Sequence, residues 1–542
     1  MTRIDQLPPM RLMALLALLW ALVTLPSLAE VPLFDYDETI YAQTAADMLH
    51  KGEWIVPSAN GMQFFEKPPF TYYLMEAAYT LFGENGFAAR LPSALFTLLT
   101  MLLLFHTGSR LHSPKLGLGA AMIFVALFQV GFLARAAILD GVLNFFLAGT
   151  LLYYLLWSRS GDKRDAWIGA AMMGAAVSIK GPVGVAIPGL IILIDRLWRG
   201  DLPAMLRTLP WAGCIALFLL AALPWYLLIL FVQGPQFLKE FILVHNIGRA
   251  MAPMQGHGGG WHYYLVIFAA GSLPWLAFMP RLFATGWKTR KMPEPTLQLI
   301  RFGLIWTLAV MALFTLAQTK LPHYISSIWP GMALALAALL IALQPDAAAM
   351  QRIERATLLL LAPIALLPIA LPLLYPSLQS LVHHPRALQV LSQPVAPDWE
   401  MSLFGALLLV GAIVLLRSRA DALLRFAMLG LLLQVSLFAG LVPFASKLVQ
   451  GPQLAIAAAI EKLPIDVAIY SYRLNMPSIS FASGRNYRIL SDEVAIPAVE
   501  QEKGPFALIL RHELKGELPR LNGATPIVDR GGFLLYRFEA QP

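Results

Sequence analysis

The chain is poor in what a soluble domain needs. Only 13% of its 542 residues are charged, against roughly 25% in a typical soluble domain. It has one cysteine, Cys214, so no disulfide framework can form within it. Acids are in the minority, with 32 Asp and Glu against 40 Lys and Arg. The turns of the last hundred residues show no phosphate-loop or nucleotide fingerprint, and no internal repeat is visible. These absences exclude a water-soluble globular chain and a disulfide scaffold. What is abundant is apolar: 58% hydrophobic residues and a mean hydropathy of +0.65. Runs long enough to cross a bilayer recur along the chain, which reads as a polytopic α-helical membrane protein. The net charge of +8 would suggest nucleic acid in a soluble chain. Here the basic residues sit in short loops between apolar runs, so they report topology instead.

The candidate spans are 12–29, 87–110, 116–135, 138–158, 166–179, 182–198, 208–231, 261–283, 302–318, 321–344, 356–375, 401–416 and 426–445. The aromatic stretch 70–84 is short and reads as an interfacial or re-entrant helix. With it left out, about 13 transmembrane helices remain and the Lys/Arg-rich loops alternate. Arg110 and Lys115 share one, Arg159, Lys163 and Arg164 the next, Arg196, Arg199 and Arg207 another. The basic side is expected to be cytoplasmic, with the N-terminus inside. The first run is expected to be an uncleaved helix rather than a signal peptide, because the charge alternation requires it. The opposite loops, 30–86 first among them, carry the acids and the unusual polar residues. Residues 1–445 are expected to form the membrane domain and 446–542 a small extracytoplasmic α/β domain. Short apolar strands are expected at 465–470, 506–510 and 532–537, with a helical stretch at 492–503.

Two motifs in the first loop cannot live in lipid. Phe34-Asp35-Tyr36-Asp37-Glu38 places three acids at the mouth of the first helix, and Glu66-Lys67-Pro68-Pro69 follows. The plain alternative for the acids is a solvated loop or a helix cap. Ionisable groups near a bilayer more often face cavities or substrates, where a carboxylate serves as a base or positions an acceptor. Pro68 and Pro69 stiffen the backbone around Lys67, a point charge suited to a lipid phosphate. Arg135 and Asp140 flank a tight turn. Lys180-Gly181-Pro182 and Lys320-Leu321-Pro322-His323-Tyr324 make two more. Each of these lysines could simply snorkel. Together with Arg249 they fall on the side that is otherwise poor in positive charge, which points to an anion-binding cavity. His245, Asn246, Arg249, His257 and His262 share one loop, whose spacing matches no strong zinc pattern.

These residues resemble a known family. Phe34-Asp-Tyr-Asp-Glu-Thr-Ile-Tyr-Ala42, Gly52-Glu-Trp-Ile-Val-Pro57, Phe65-Glu-Lys-Pro-Pro69 and Phe87-Ala-Ala-Arg-Leu-Pro-Ser93 look like the start of bacterial GT-C glycosyltransferases. The family is the protein-mannosyltransferase-like one that includes the lipid A aminoarabinose transferases. Ser178-Ile-Lys-Gly-Pro182 and Lys320-Leu-Pro-His-Tyr324 also look like its motifs. The likeness runs from about residue 10 to 345 and is most specific in the first hundred. It implies a GT-C fold, an undecaprenyl-phosphate sugar donor, a periplasmic active site in the bacterial inner membrane and an inverting transfer.

Carried onto this chain, the resemblance makes Asp37 the principal catalytic carboxylate, with Asp140 a second acid and Glu38 in support. Lys67 would contact the donor phosphate, with Arg135, Lys180, Arg249 and Lys320 as further basic candidates. Glu66 with His245 or His257 would hold a divalent metal, zinc or similar. The expected reaction moves 4-amino-4-deoxy-L-arabinose to a lipid A phosphate. Transfer of another sugar to lipopolysaccharide or to protein is the near alternative, and a lipid-linked sugar flippase the alternative of another class. A flippase should carry charge deep within several helices. Here the singled-out charges cluster at one surface, which favours an enzyme; a scaffold without activity would leave them unexplained. No nucleic-acid partner is expected.

Overall fold

A computed structural model describes residues 8–248, 251, 258–288, 292–342, 347–490, 504–518, 521 and 523–539. The chain begins with α1 (Pro9–Thr24), followed by α2 (Asp37–Lys51), a two-stranded hairpin of β1 (Ser58–Ala59) and β2 (Met62–Gln63), and α3 (Phe70–Phe82). The bundle continues with α4 (Gly86–Leu111), α5 (Pro114–Ala126), α6 (Leu139–Ser160), α7 (Lys163–Lys180), α8 (Val183–Arg199) and α9 (Trp211–Gln233). It closes with α10 (Tyr263–Gly271), α11 (Glu294–Leu316), α12 (Trp329–Ala342), α13 (Ala347–Leu381), α14 (Trp399–Arg417), α15 (Ala422–Ser436) and α16 (Val442–Glu461).

Among the described residues nine helices are long and apolar enough to cross a membrane. A tenth span arises if Tyr263–Gly271 and Trp275–Trp287, bent by 107°, count as one. The remaining three expected spans, 116–135, 166–179 and 182–198, fall on α5 with the short helix Phe128–Leu133, on α7 and on α8, which are shorter or more charged. The segment 70–84 forms α3, 13 residues long and packed against α2 and α4. A helix that short cannot cross roughly 30 Å of hydrocarbon at 1.5 Å per residue.

Local chemistry explains the helix boundaries. Asn85, Ser113, Asp162, Asp398 and Asp421 each accept a backbone N–H in the first turn of the helix they precede, the usual way to satisfy an orphan donor there. α7 stops at Gly181, whose φ of +66° suits glycine and whose missing Cβ leaves room for Phe241. Packing between helices leans on small residues. At Gly108 a Cβ would lie 2.8 Å from the Gly117 Cα, so α4 and α5 touch backbone to backbone. α9 turns most of its apolar surface outward, and Phe231 is 91% exposed. Such a helix face suits lipid, not water.

The last helix is continuous with its predecessor from Ala422 to Glu461. The boundary expected at residue 446 therefore falls inside α16. Beyond it stands a five-stranded sheet in the order β4-β3-β5-β7-β6, with β3 (Ala468–Tyr472), β4 (Arg488–Leu490), β5 (Phe506–Arg511), β6 (Val528–Arg530) and β7 (Phe533–Phe538). β3 pairs parallel to both β4 and β5, and β7 antiparallel to both β5 and β6. The three expected strands match β3, β5 and β7 within a few residues. The expected helical stretch 492–503 lies outside the described residues. A short helix, α17 (Pro477–Ser483), packs the domain against both α16 and α2.

Candidate active site

Two helix starts are brought together at one end of the bundle. Asp37 is the first residue of α2, and Asp140 lies in the first turn of α6. Glu38 builds this juxtaposition. Its Oε1 accepts from Arg90 Nε at 2.9 Å and from the Ala137 N–H at 2.7 Å. Its Oε2 accepts from Arg90 Nη2 at 2.9 Å and from the Phe34 N–H at 2.9 Å. Arg90, 1% exposed, also donates to the carbonyls of Leu28, Val31 and Pro32. One buried pair thus ties the loop after α1, the start of α2, the helix α4 and the turn before α6. Both oxygens of Glu38, expected in a supporting catalytic role, are engaged in these bonds.

Asp140 has its own partner. Lys180 Nζ donates to both of its oxygens, at 2.8 and 2.9 Å, and His323 Nε2 lies 3.7 Å from Oδ2. The same ammonium sits 4.9 Å from the centre of the Tyr324 ring. Lys180, expected as a basic candidate for the donor phosphate, is therefore paired with Asp140. The turn carrying His323 is fixed from two sides: Gln129 Nε2 donates to the Pro322 carbonyl at 2.8 Å, and Asn144 Nδ2 to Ser326 Oγ at 2.9 Å.

Lys67 is buried, and its Nζ donates to the Glu66 carbonyl at 3.0 Å. Its charge acts on both Asp140 and His323, and Asp37 and Lys180 also act on His323. Tyr41, on the first turns of α2, reports the same convergence. Burial first, then Asp37, Tyr72, Glu66 and Asp140, push its phenol well above the ordinary range, so it remains a neutral donor. Asp37, Glu66, Lys67, Asp140, Lys180 and His323 are therefore one electrostatic neighbourhood. A cavity of about 390 Å³ opens beside it, with Asp35, Asp37, Gln129, Arg135 and His323 on its wall.

The other expected cations behave differently. Arg135 reaches the cavity wall, but its fork is largely taken. Nε donates to Ser27 Oγ at 2.5 Å, Nη1 to the Gly131 carbonyl at 2.7 Å and Nη2 to the Val23 carbonyl at 2.5 Å. It also stacks 4.4 Å from the centre of the Phe438 ring. Lys320 caps the C-terminal end of α11, donating to Thr315 and Ala317 carbonyls at 2.8 and 2.7 Å and to Phe314 at 3.4 Å. These three carbonyls match the three donors of its ammonium. Burial lowers its pKa. Arg249 and His257 lie outside the described residues, as does the side chain of His245. Of the expected metal donors only Glu66 is described, and among the described residues no three His, Cys, Asp or Glu side chains group as a metal site.

Sequence reasoning missed two features. Arg90 was legible only as a charge inside an apolar helix, which is itself a signal of a buried partner. Asp35 has a role no local pattern announces. Its Oδ1 accepts the Ser478 N–H at 3.0 Å and the Thr39 hydroxyl at 2.6 Å, and its Oδ2 accepts the Ser478 hydroxyl. Asn60 adds a second link to the sheet domain through the Tyr487 carbonyl at 2.7 Å and N–H at 2.9 Å. Burial raises the Asp35 pKa, and the hydrogen bonds from Ser478 and Thr39 oppose the rise.

A many-helix bundle with a cavity lined by carboxylates and arginines at one end and a small sheet domain docked over its first loop has the architecture of a GT-C membrane protein. Comparison with known proteins agrees. The family described as "Dolichyl-phosphate-mannose-protein mannosyltransferase" matches residues 66–228. The chain is 30% identical over 328 residues to an "Undecaprenyl phosphate-alpha-4-amino-4-deoxy-L-arabinose arabinosyl transferase" of Aeromonas salmonicida, covering 60% of this chain but only 59% of that relative. A protein of the same description from Edwardsiella ictaluri is 28% identical over 570 residues, 98% of each chain. Two crystal structures of ArnT from Cupriavidus metallidurans have the same fold. The apo form superposes with a TM-score of 0.80 at 20% identity, and the form bound to undecaprenyl phosphate with 0.78 at 21%, each over 97% of both chains. The chain thus shares the fold of the ArnT structures and is similar to these arabinosyl transferases over the lengths given.

Proposed function

We propose that this protein is an inner-membrane glycosyltransferase that moves a sugar from undecaprenyl phosphate to an envelope acceptor, with 4-amino-4-deoxy-L-arabinose as the sugar and a lipid A phosphate as the acceptor. The observation that carries this reading is the convergence of Asp37, Lys67, Asp140, Lys180 and His323 on one end of the bundle, beside a cavity. Support comes from the printed descriptions of the Aeromonas and Edwardsiella relatives and from the undecaprenyl phosphate held by the Cupriavidus protein. The site is read as periplasmic, with the basic loops on the cytoplasmic side.

In the proposed reaction an acceptor phosphate oxygen forms a bond to the sugar C1. The bond from C1 to the donor phosphate oxygen breaks, and undecaprenyl phosphate leaves with the electron pair. Attack opposite the leaving group inverts C1. Lys67 stabilises the negative charge growing on the departing phosphate. The acceptor phosphate is already anionic, so Asp37 has no obligatory proton to remove. Its carboxylate faces the positive charge that develops on the sugar ring as the C1–O bond lengthens, and orients the sugar. Lys180 offsets the charge of Asp140, which leaves Asp37 to present its negative field to the reacting carbon.

Purified protein, undecaprenyl phosphate carrying radiolabelled aminoarabinose and lipid A test this directly. Label transfer lost in Asp37→Asn supports the reading. Absence of transfer from that donor by wild-type protein, to lipid A or any other envelope acceptor, sinks it.

A further inference from the structure

A second recess lies at the other end of the bundle, remote from the reacting groups. A cavity of about 350 Å³ opens between α6, α7, α8 and α9. Tyr154, on its wall, stands roughly 20 Å past Asp140 along α6 at 1.5 Å per residue. Small side chains make the room: Ala166, Gly169 and Ala170 form the α7 wall. Behind them α6 and α7 touch, since a Cβ on Gly169 would lie 3.3 Å from the Thr150 carbonyl. Toward the active-site end α7 and α9 close up, with Gly174 seated against the Phe218 carbonyl. The floor residues Tyr154, Trp157 and Ala166 are buried, whereas Val185, Trp211 and Ile215 at the rim are exposed. The recess therefore opens sideways, onto a surface that suits lipid.

Its wall offers a ligand apolar contact alone. The Thr150 hydroxyl donates to the Phe146 carbonyl at 2.9 Å, Tyr154 to Asp195 at 2.5 Å and the Cys214 thiol to the Ala166 carbonyl at 3.7 Å. The Trp211 indole donates to the Leu206 carbonyl at 2.8 Å. Among the described residues no buried side-chain nitrogen or oxygen on this wall lacks a partner. A hydrocarbon chain fits such a surface, and a sugar or a phosphate does not.

The mouth carries the selectivity. Exposed Trp198, Trp211 and Trp287 mark the headgroup level there. Segments 159–165 and 195–207, together with Arg110, hold seven cations and four acids. Arg110 pairs with Asp165 at 2.9 Å, Arg196 with Asp201 at 2.7 Å and Arg199 with Asp195 at 3.0 Å. Arg159 is turned to the Leu111 and Pro295 carbonyls, and Asp162 caps α7. Lys163, Arg164 and Arg207 are exposed and form no ion pair with a described acid. Three cations are thus left against the single charge of Asp162. Lys163 stands one turn before Ala166 on the same face of α7, and Arg207 lies between Met205 and Leu209 of the wall. An apolar recess with uncommitted cations at headgroup depth fits a lipid whose chain is inserted and whose phosphate stays at the surface.

We propose that this recess binds an acyl chain of an anionic phospholipid from the leaflet at the basic end of the bundle, with Lys163, Arg164 and Arg207 on its headgroup. The far end of α7 carries Lys180, which pairs with Asp140, so the lipid braces the helix that delivers this lysine. The site is separate from the donor and acceptor of the transfer reaction.

Full-length protein in detergent is titrated with dioleoyl phosphatidylglycerol and dioleoyl phosphatidylcholine, and bound lipid is counted by native mass spectrometry. Wild type should bind phosphatidylglycerol about tenfold more tightly, and the triple variant Lys163→Glu, Arg164→Glu, Arg207→Glu should lose that preference. All three side chains are exposed, so the core is left intact. Equal binding of both lipids by wild type, or a preference that survives in the triple variant, overturns the proposal. Location is read with phosphatidylglycerol carrying a diazirine in its acyl chain. Crosslinks should fall within 166–173 or 211–218 of wild type and be lost there in Ala170→Phe, which fills the recess. Crosslinks confined to other segments overturn the site. Stronger competition by undecaprenyl phosphate than by unlabelled phosphatidylglycerol gives the recess to a polyprenyl chain and likewise overturns it.

Discussion

Asp35 and Ser478 are 443 positions apart in sequence, yet the carboxylate of one accepts both the N–H and the hydroxyl of the other. The first turn of α17 is thereby latched to the residue two before Asp37. The sheet domain, far along the chain from the acidic loop, holds it in place.

Ser478→Ala should lower kcat several-fold while leaving donor and acceptor KM within about twofold, because it loosens the loop without touching substrate. Asp35→Ala removes the partner of three donors and should also cost about 1–3 kcal/mol of stability, the scale for leaving buried donors unpaired. Thermal unfolding in detergent, beside steady-state kinetics, checks both. A fall in affinity with unchanged kcat would contradict the latch.

The pair formed by Asp140 and Lys180 makes a different prediction. Removing one member leaves a buried charge unpaired, which costs about 3–5 kcal/mol. Lys180→Met should destabilise the protein strongly, and Asp140→Asn in the same chain should recover much of the loss. A double-mutant cycle read by thermal unfolding measures the coupling. Purely additive effects would show that Lys180 serves something other than Asp140.

Lys67 and Lys320 should part company. Lys67 acts on the Asp140 neighbourhood, whereas Lys320 is spent on the end of α11. Lys67→Ala should cut kcat/KM for the lipid-phosphate donor by at least 100-fold, about 2.7 kcal/mol at 1.36 kcal/mol per decade. Lys320→Ala should lower the unfolding temperature and leave the donor KM within about twofold. Kinetics with one radiolabelled donor decide between them.

Glu76 predicts a pH dependence. It lies on α3, 3% exposed, with one carboxyl oxygen unpartnered, and burial raises its pKa from 4.5 to about 7. An acid whose folded pKa is raised favours folding below the unfolded value and loses that contribution as pH climbs through the folded one. Its stabilising share is thus present below pH 4.5 and gone above about 7. Glu76→Gln should raise the unfolding temperature at pH 8 and change it little at pH 5. An equal shift at both values would contradict the assignment.

Much of the fold was legible in the sequence because lipid imposes simple rules. Every expected span falls on a helix or a broken helix, since backbone polar groups in hydrocarbon must be satisfied within the segment. α3 was legible as a helix too short to cross. The expected strands were found as β3, β5 and β7, while the edge strands β4 and β6, only three residues each, carry too little pattern to read. The candidate site was legible in part. Asp37, Lys67 and Asp140 do fall in one neighbourhood, but the partners of the basic residues were not visible. A lysine beside a Gly-Pro or Leu-Pro turn looks the same whether it meets a carboxylate, as Lys180 does, or a helix end, as Lys320 does.

The sequence by itself determined the membrane class, the approximate spans and the separation of basic loops from acidic ones, because hydropathy and charge act locally along the chain. Only the tertiary structure decided which charges meet. Glu38 became an anchor because Arg90, 52 residues away, takes both its oxygens, and Asp140 was neutralised by a lysine 40 residues away. A buried charge must find its counter-charge wherever packing brings one, and that choice is written in three dimensions rather than in spacing.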